Sequence, residues 1–273
     1  YHDAPVATIT YYVHSILSEQ ISKAGYLVAF SGTSADELFA GYYDHFLLHL
    51  HELSNSPEYE QALKEWEDYI LGFVRNPILR NPRLYDENSS YREHVYDNSS
   101  EFATFLKQGQ PEPFIEENYC PSLMRNRMLN ELCHEATPVI LHEDDLNSML
   151  YSIENRSPFL DHDLFKFAFS IPARHLIRDG YGKFVLREAV RGILNDNVRL
   201  DRKKKGFNAS IHSVINLKSE ENREFILDES SELFDLIDRS RIQPLLELDE
   251  IPNHYSKFLF NVINARLFLD QQS

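Results

Sequence analysis

Residues 26–37 read Tyr26-Leu27-Val28-Ala29-Phe30-Ser31-Gly32-Thr33-Ser34-Ala35-Asp36-Glu37. The apolar run from Tyr26 to Phe30 lies between Gly25 and Ser31-Gly32. So short a run between small residues predicts a buried strand, not a helix. Ser34 and Glu37 then have the S-x-x-E spacing of a capping box, which predicts a helix from Ser34 through Leu53. A strand, a small-residue turn and a helix start place a loop where α/β folds bind ligands. The backbone N–H groups at such a start favour an anion. Asp36 and Glu37 admit two readings. They complement the helix dipole, or they share Mg²⁺ with a phosphate.

Working outward, Ile9, Val13, Ile16, Leu17, Ile21 and Ala24 have helical spacing and predict a helix over 8–24. Ser56-Pro57-Glu58 opens another helix. The polar stretch that follows is punctuated by Asn76-Pro77, Asn81-Pro82 and Gln110-Pro111-Glu112-Pro113. We read 54–120 as an inserted lobe of helical pieces and loops. Helices are predicted again from 121, near 143–153, 161–169 and 182–194, and over 219–271.

The 273 residues carry 27 Lys and Arg against 43 Asp and Glu, a net charge of −16. This balance argues against coating nucleic acid or an anionic membrane, and it requires local positive charge wherever phosphate binds. No apolar run approaches the ~20 residues of a membrane helix. With no basic and apolar leader at Tyr1, and with Cys120 and Cys133 as the two cysteines, we expect a reducing, cytoplasmic setting.

Local positive charge is present in Arg202-Lys203-Lys204-Lys205, followed by Gly206. This run is either a solvated loop or a clamp for a transferring phosphoryl or adenylyl group. Glu154, Arg156 and Asp161 flank Pro158-Phe159-Leu160. We read these charges as partly buried structural pairs, with Glu154 and Arg156 too close in sequence to pair along a helix. His45 and His49 have a helical zinc spacing, but Phe46 breaks the H-E-x-x-H pattern. No G-x-S-x-G elbow supports a serine hydrolase.

Taken together, Ser31-Gly32-Thr33-Ser34-Ala35-Asp36-Glu37-Leu38-Phe39-Ala40-Gly41-Tyr42 resembles the SGxGADELFxGY signature of the asparagine synthetase family. Asp145-Leu146-Asn147-Ser148-Met149, with Glu154-Asn155-Arg156-Ser157-Pro158-Phe159-Leu160-Asp161, is similar to its D-x-x-S-M…E-x-R-x-P-F-L-D block. Gly182-Lys183-Phe184-Val185-Leu186-Arg187 is similar to its G-K-x-x-L-R helix start. Arg202-Lys203-Lys204-Lys205-Gly206-Phe207 is similar to its R-x-K-x-G-F loop.

The resemblance implies an α/β synthetase domain of the adenine nucleotide alpha hydrolase type, here a predominantly helical portion with few strands. It makes 1–273 a partial asparagine synthase domain. The family's S-G-G-x-D-S pyrophosphate loop and N-terminal Cys nucleophile find no match, so we expect a piece truncated upstream of that loop. A glutaminase would then be supplied by the same chain or by a separate subunit.

The implied reaction is a carbon–nitrogen ligation using ATP and Mg²⁺. A carboxylate is adenylated, and glutamine-derived ammonia converts it to an amide. By position, Asp36 and Lys204 would be catalytic. Ser31, Gly32, Arg202, Lys204 and Lys205 would meet ATP or pyrophosphate, and Asp36 with Glu37 would hold the metal. Glu154, Arg156 and Asp161 would support the site. Thr33 stands where asparagine synthetases often carry an acid, and Ser34 replaces the usual Gly. Thr cannot serve as a carboxylate base. The acceptor is therefore aspartate or another carboxylate such as a sugar uronic acid. A non-catalytic binding module is the reading of a different class.

Overall fold

The computed structural model describes residues 1–96, 99–110, 113–203, 206 and 209–272. Strand β1 (Val28–Phe30) forms where the apolar run predicts one, and pairs in parallel with β2 (Glu154–Arg156). Val28 faces Glu154, Ala29 faces Asn155, and Phe30 faces Arg156. The ladder extends at both ends, through Glu154 N–H to Leu27 O and Ser31 N–H to Arg156 O, each 2.9 Å. The expected burial is not found. Leu27 and Phe30 are each 71% exposed, because among the described residues no further strand or helix covers them. Burial depends on neighbours, which a short apolar run does not specify.

Before β1, α1 (Ile9–Lys23) packs along α8 (Ala136–Leu150). After it, the single helix predicted from Ser34 to Leu53 is two: α2 (Ala35–Phe39) and α3 (Tyr43–Leu53). Ala40 at φ 60° and Gly41 break them apart. The predicted capping box is absent as well. Ser34 sits at φ 73°, in the left-handed region, and makes no cap. Its Oγ is instead 3.0 Å from Thr137 Oγ1 in the interior. An N-cap needs extended backbone, which a left-handed residue does not provide. This is glycine-like geometry, so the usual Gly at this position has a physical reason.

Helix α4 (Tyr59–Tyr69), then α5 (Leu84–Glu87) and α6 (Ser99–Ala103), follow in the 54–120 region. Trp66, Ile70, Val74 and Tyr85 of this region join Leu38, Leu47, Leu48, Met124, Met128 and Leu176 in one hydrophobic core. Helix α3 runs through that core, and α7 (Leu123–Cys133) lies against α2, α3 and α8. Ser122 caps α7 by accepting from Arg125 N–H at 3.1 Å. Helices α9 (His162–Ser170), α10 (Phe184–Ala189) and α11 (Asp196–Arg199) come next.

A second core gathers Ile9, Phe105, Ile211, Leu233, Ile242, Leu259 and Val262. It joins the amino-terminal segment to α12 (Glu220–Leu227), α13 (Leu233–Leu236), α14 (Arg239–Leu246) and α15 (Asn253–Gln272). The described part is thus mainly helical with a small parallel sheet, as a portion of an α/β domain should be. No described helix is long and apolar enough to cross a membrane. Cys120 and Cys133 are free thiols.

Candidate functional site

Parallel pairing sets the carboxyl ends of β1 and β2 side by side, where α/β sheets place ligands. There, Ser31 Oγ lies 3.0 Å from Thr33 Oγ1 and 3.0 Å from Ser157 Oγ. Ser157 is not among the site residues the sequence predicts. Its signal was a position directly after a strand. Gly32 beside this hydroxyl trio is exposed, and a side chain there would meet nothing within 4 Å.

The next turn carries Asp36 toward a cleft of about 340 Å³. Gly41 makes room for it, since a Cβ at Gly41 would stand 1.6 Å from Asp36 Oδ1. Lys183 Nζ lies 3.0 Å from that same oxygen. Lys183 itself holds φ 55° and starts α10 from the left-handed region. Its N–H donates to Phe39 O at 3.0 Å, which knits the start of α10 to the end of α2. Gly182 permits the close approach, because a Cβ there would meet Ala40 O at 2.6 Å. The G-K-x-x-L-R motif contained Lys183, but its pairing with Asp36 was not legible there.

Arg187, Arg202 and Lys203 line the same cleft. Arg187 Nε donates to Gly182 O at 2.9 Å, and its Nη1 donates to Arg199 O. Arg202 lies between two rings, 4.2 Å from the Tyr69 centroid and 3.9 Å from that of Tyr181. Its Nη2 donates to Asp179 O at 3.2 Å. Tyr69 belongs to α4, so the region read as an inserted lobe supplies part of the wall behind Arg202. Lys204 and Lys205 lie outside the described residues.

The remaining predicted positions divide. Glu37 is buried, and its carboxylate accepts from Tyr42 OH. Burial, with Glu37 beside it, holds the Tyr42 phenol far above its ordinary pKa. Glu37 is therefore committed inward and is not among the residues lining the cleft. Glu154 and Arg156 do pair, at 2.7 Å, but their side chains are 64% and 58% exposed. Residues two apart share one face of a strand, so the helical argument against pairing does not apply, and the partial burial expected of them is not found. Asp161 caps α9, accepting from Asp163 and Leu164 N–H at 3.0 and 2.9 Å.

The chemistry of the cleft suits a magnesium-bound polyphosphate. A carboxylate oxygen serves the cation, and ammonium and guanidinium groups serve the phosphates. Comparison with known sequences decides the lineage. The sequence model of the family described as Asparagine synthase matches residues 1–269. The chain belongs to the asparagine synthase family.

Among its relatives in Bacillus subtilis (strain 168), the chain is 27% identical over 232 residues to asparagine synthetase (glutamine-hydrolyzing) 3. That match covers 83% of this chain and 34% of the relative. It is 25% identical over 264 residues to asparagine synthetase (glutamine-hydrolyzing) 1, covering 89% of this chain and 39% of the relative. The chain thus spans little more than a third of the length of these relatives. Family membership makes it part of a ligase lineage, and of the motifs quoted for the resemblance Ser31 and Ser157 lie at the two strand ends and Asp36, Lys183, Arg187, Arg202 and Lys203 line the cleft.

Proposed function

We propose that this chain forms the phosphate-facing part of an ATP-dependent synthetase that activates a carboxylate by adenylation and converts it to an amide. The observation that carries this reading is the meeting of Asp36 and Lys183 in a cleft shared with Arg202 and Lys203. When bound there, Mg²⁺ would neutralise polyphosphate charge. Asp36 would hold it, and Glu37 would stiffen the turn through Tyr42. Lys183 and Lys203 would meet phosphate oxygens, and Lys204 would stabilise charge developing during transfer. Arg202, held between Tyr69 and Tyr181, would brace Lys203 next to it. Ser31 and Gly32 would line the nucleotide side at the strand ends.

Ammonia would come from a glutaminase unit, in the same chain or a separate subunit, as the glutamine-hydrolysing relatives suggest. We place the reaction in the cytoplasm. The acceptor is the finer question. Aspartate is the acceptor in the parent family. Thr33, bonded to Ser31 within a hydroxyl trio, supplies no carboxylate base. That observation favours a second reading in which the acceptor is another carboxylate, such as a sugar uronic acid.

Carboxylate-dependent ATP–pyrophosphate exchange by the complete protein tests both. Exchange stimulated by aspartate or by glucuronate, and lost in Asp36→Asn, is expected. The stimulating acid separates the two acceptors. No carboxylate-dependent exchange from a folded, complete protein would refute the adenylation reading.

A further inference from the structure

A second cleft, of about 920 Å³, opens beside the basic one, and Lys203 lines both. Its walls come from the start of α3, the segment 73–79, α7 and the start of α15. Its volume falls within the range of clefts that take small organic ligands.

The charges lining it divide into two sets. The acids are already committed inside the fold. Asp44 Oδ2 lies 3.1 Å from His94 Nε2, and Glu131 lies 2.9 Å from His45 Nε2 and 3.2 Å from Arg127 Nε. Glu135 accepts from Arg127 Nη1 at 2.8 Å. Arg75, Lys203 and Lys257 form the other set. They come from three separate segments, all are exposed, and none makes an ion pair among the described residues. With its acids neutralised, the cleft presents unpaired positive charge in a chain of net charge −16. Such a surface concentrates anions.

We propose that this cleft holds the acceptor, and that the acceptor is a carboxylic acid carrying a phosphate group. The proposal rests on the adenylation reading above. Lys203, common to the two clefts, meets the carboxylate that is to be activated. Arg75 and Lys257 meet the phosphate, and two cations match its nearly double negative charge at neutral pH. The lining also includes the amides of Asn76 and Asn253, which can donate to and accept from a hydroxylated body. Free aspartate fits this set poorly. Its ammonium group would face cations, and it brings no doubly charged group to Arg75 and Lys257.

Trace acetylation of the complete protein, read lysine by lysine by mass spectrometry, tests this without turnover. The probe is glucuronic acid 1-phosphate, with glucuronate, glucose 1-phosphate and aspartate as controls at matched ionic strength. The probe should protect Lys203 and Lys257 together and saturably. It should do so at about tenfold lower concentration than glucuronate or glucose 1-phosphate, each of which lacks one charge-assisted contact. Arg75→Gln should weaken protection by the probe about tenfold and leave protection by glucuronate unchanged. Arg75 is exposed, so an unchanged thermal melt is expected of this variant. No saturable protection of Lys257 would overturn the proposal. So would equal protection by glucose 1-phosphate or by aspartate, or an Arg75→Gln protein that binds the probe unchanged. Carboxylate-dependent exchange without protection of Lys257 would refute this proposal alone. Protection of Lys257 without exchange would refute the adenylation reading, and with it the acceptor role of the cleft.

Discussion

Lys183 Nζ stands 3.0 Å from Asp36 Oδ1, joining the first turn of α2 to the start of α10 beside the basic cleft. Both side chains are about a quarter exposed. A pair this accessible contributes at most about 1 kcal/mol to stability. The same pair in a phosphate site would count for far more in catalysis. Lys183→Met should therefore lower ATP–pyrophosphate exchange by about 100-fold or more, while the melting temperature moves little. Asp36→Asn should do the same, and the double variant should be no worse than either single one. Exchange rates and thermal melts of the three variants check this.

Gly41 bears on the same carboxylate. Its alanine Cβ would overlap Asp36 Oδ1 at 1.6 Å, with Lys183 Cε at 2.6 Å. Backbone φ is not the obstacle, since Gly41 is not among the positive-φ glycines. Gly41→Ala should thus displace Asp36 and leave the helices intact. A displacement of about 1 Å costs on the order of 100-fold in rate. Circular dichroism should be unchanged while exchange falls by about that factor.

How much of this was legible depends on the range over which each feature is determined. The strand at Val28–Phe30 and the turn to Asp36 follow from local pattern and were readable, whereas its parallel partner Glu154–Arg156 was not. The break at Ala40 was not, because alanine carries no signal for φ 60°. Ser34 misled, because its S-x-x-E spacing assumes extended backbone and the chain is left-handed there. Phe30 misled too, because apolar character does not say what covers a residue. In the site, Asp36 was readable from its turn. The Lys183 contact and the Tyr69–Arg202–Tyr181 stack were not, because they join residues far apart in sequence.

Ser34 makes a stability prediction in which two effects oppose. Left-handed backbone costs a non-glycine residue about 1–2 kcal/mol. Its hydroxyl, however, is bonded to Thr137 in the interior at 3.0 Å. Ser34→Gly alone would leave Thr137 unpaired at a similar cost. With Thr137→Val already in place, the buried Ser34 hydroxyl is itself unpaired, so its removal and the relief of the backbone act in the same direction. Ser34→Gly should then stabilise the protein by about 1 kcal/mol. Urea unfolding of Thr137→Val with and without Ser34→Gly measures the difference.

Arg202 separates bracing from direct phosphate contact. Its guanidinium stacks between Tyr69 and Tyr181, a geometry that a lysine ammonium does not reproduce. Loss of one such desolvated stack is worth on the order of tenfold. If the stack braces the loop, Arg202→Lys and Tyr181→Leu should both raise KM for ATP by about that factor. An intact KM in Tyr181→Leu, with a raised KM in Arg202→Lys, would assign Arg202 to the phosphate itself.

The buried ions around α3 give the pH dependence. His45 Nε2 lies 2.9 Å from Glu131 Oε2, and His94 Nε2 lies 3.1 Å from Asp44 Oδ2. Arg127 bonds Glu116 at 2.6 Å and Glu131 at 3.2 Å. Asp44, His45 and Glu131 come close enough to ligate a cation. Arg127 already supplies positive charge to that cluster, so we read it as structural.

Burial opposes the charged form of His45, but Glu131 and Asp44 outweigh it and raise its pKa above 6.5. Its stabilising contribution is full below that value and is lost as pH rises through the raised pKa. Burial also raises Glu131 above 4.5, against the pull of His45, so its contribution is full below 4.5 and is lost as pH rises through that raised pKa. Asp44 runs the other way. Despite burial, His45, His94 and Arg127 hold its pKa well below 3.8, so its contribution is present above that value and lost in acid. Stability from this cluster should peak at about pH 4 to 4.5 and fall as pH rises, first through the raised pKa of Glu131 and then through that of His45. Replacing the coupled pair by His45→Gln with Glu131→Gln should keep a neutral hydrogen bond and flatten the alkaline fall. Urea midpoints at about pH 5.5 and about pH 8.5 test the sign. An equal fall in the double variant would place the titrating groups elsewhere.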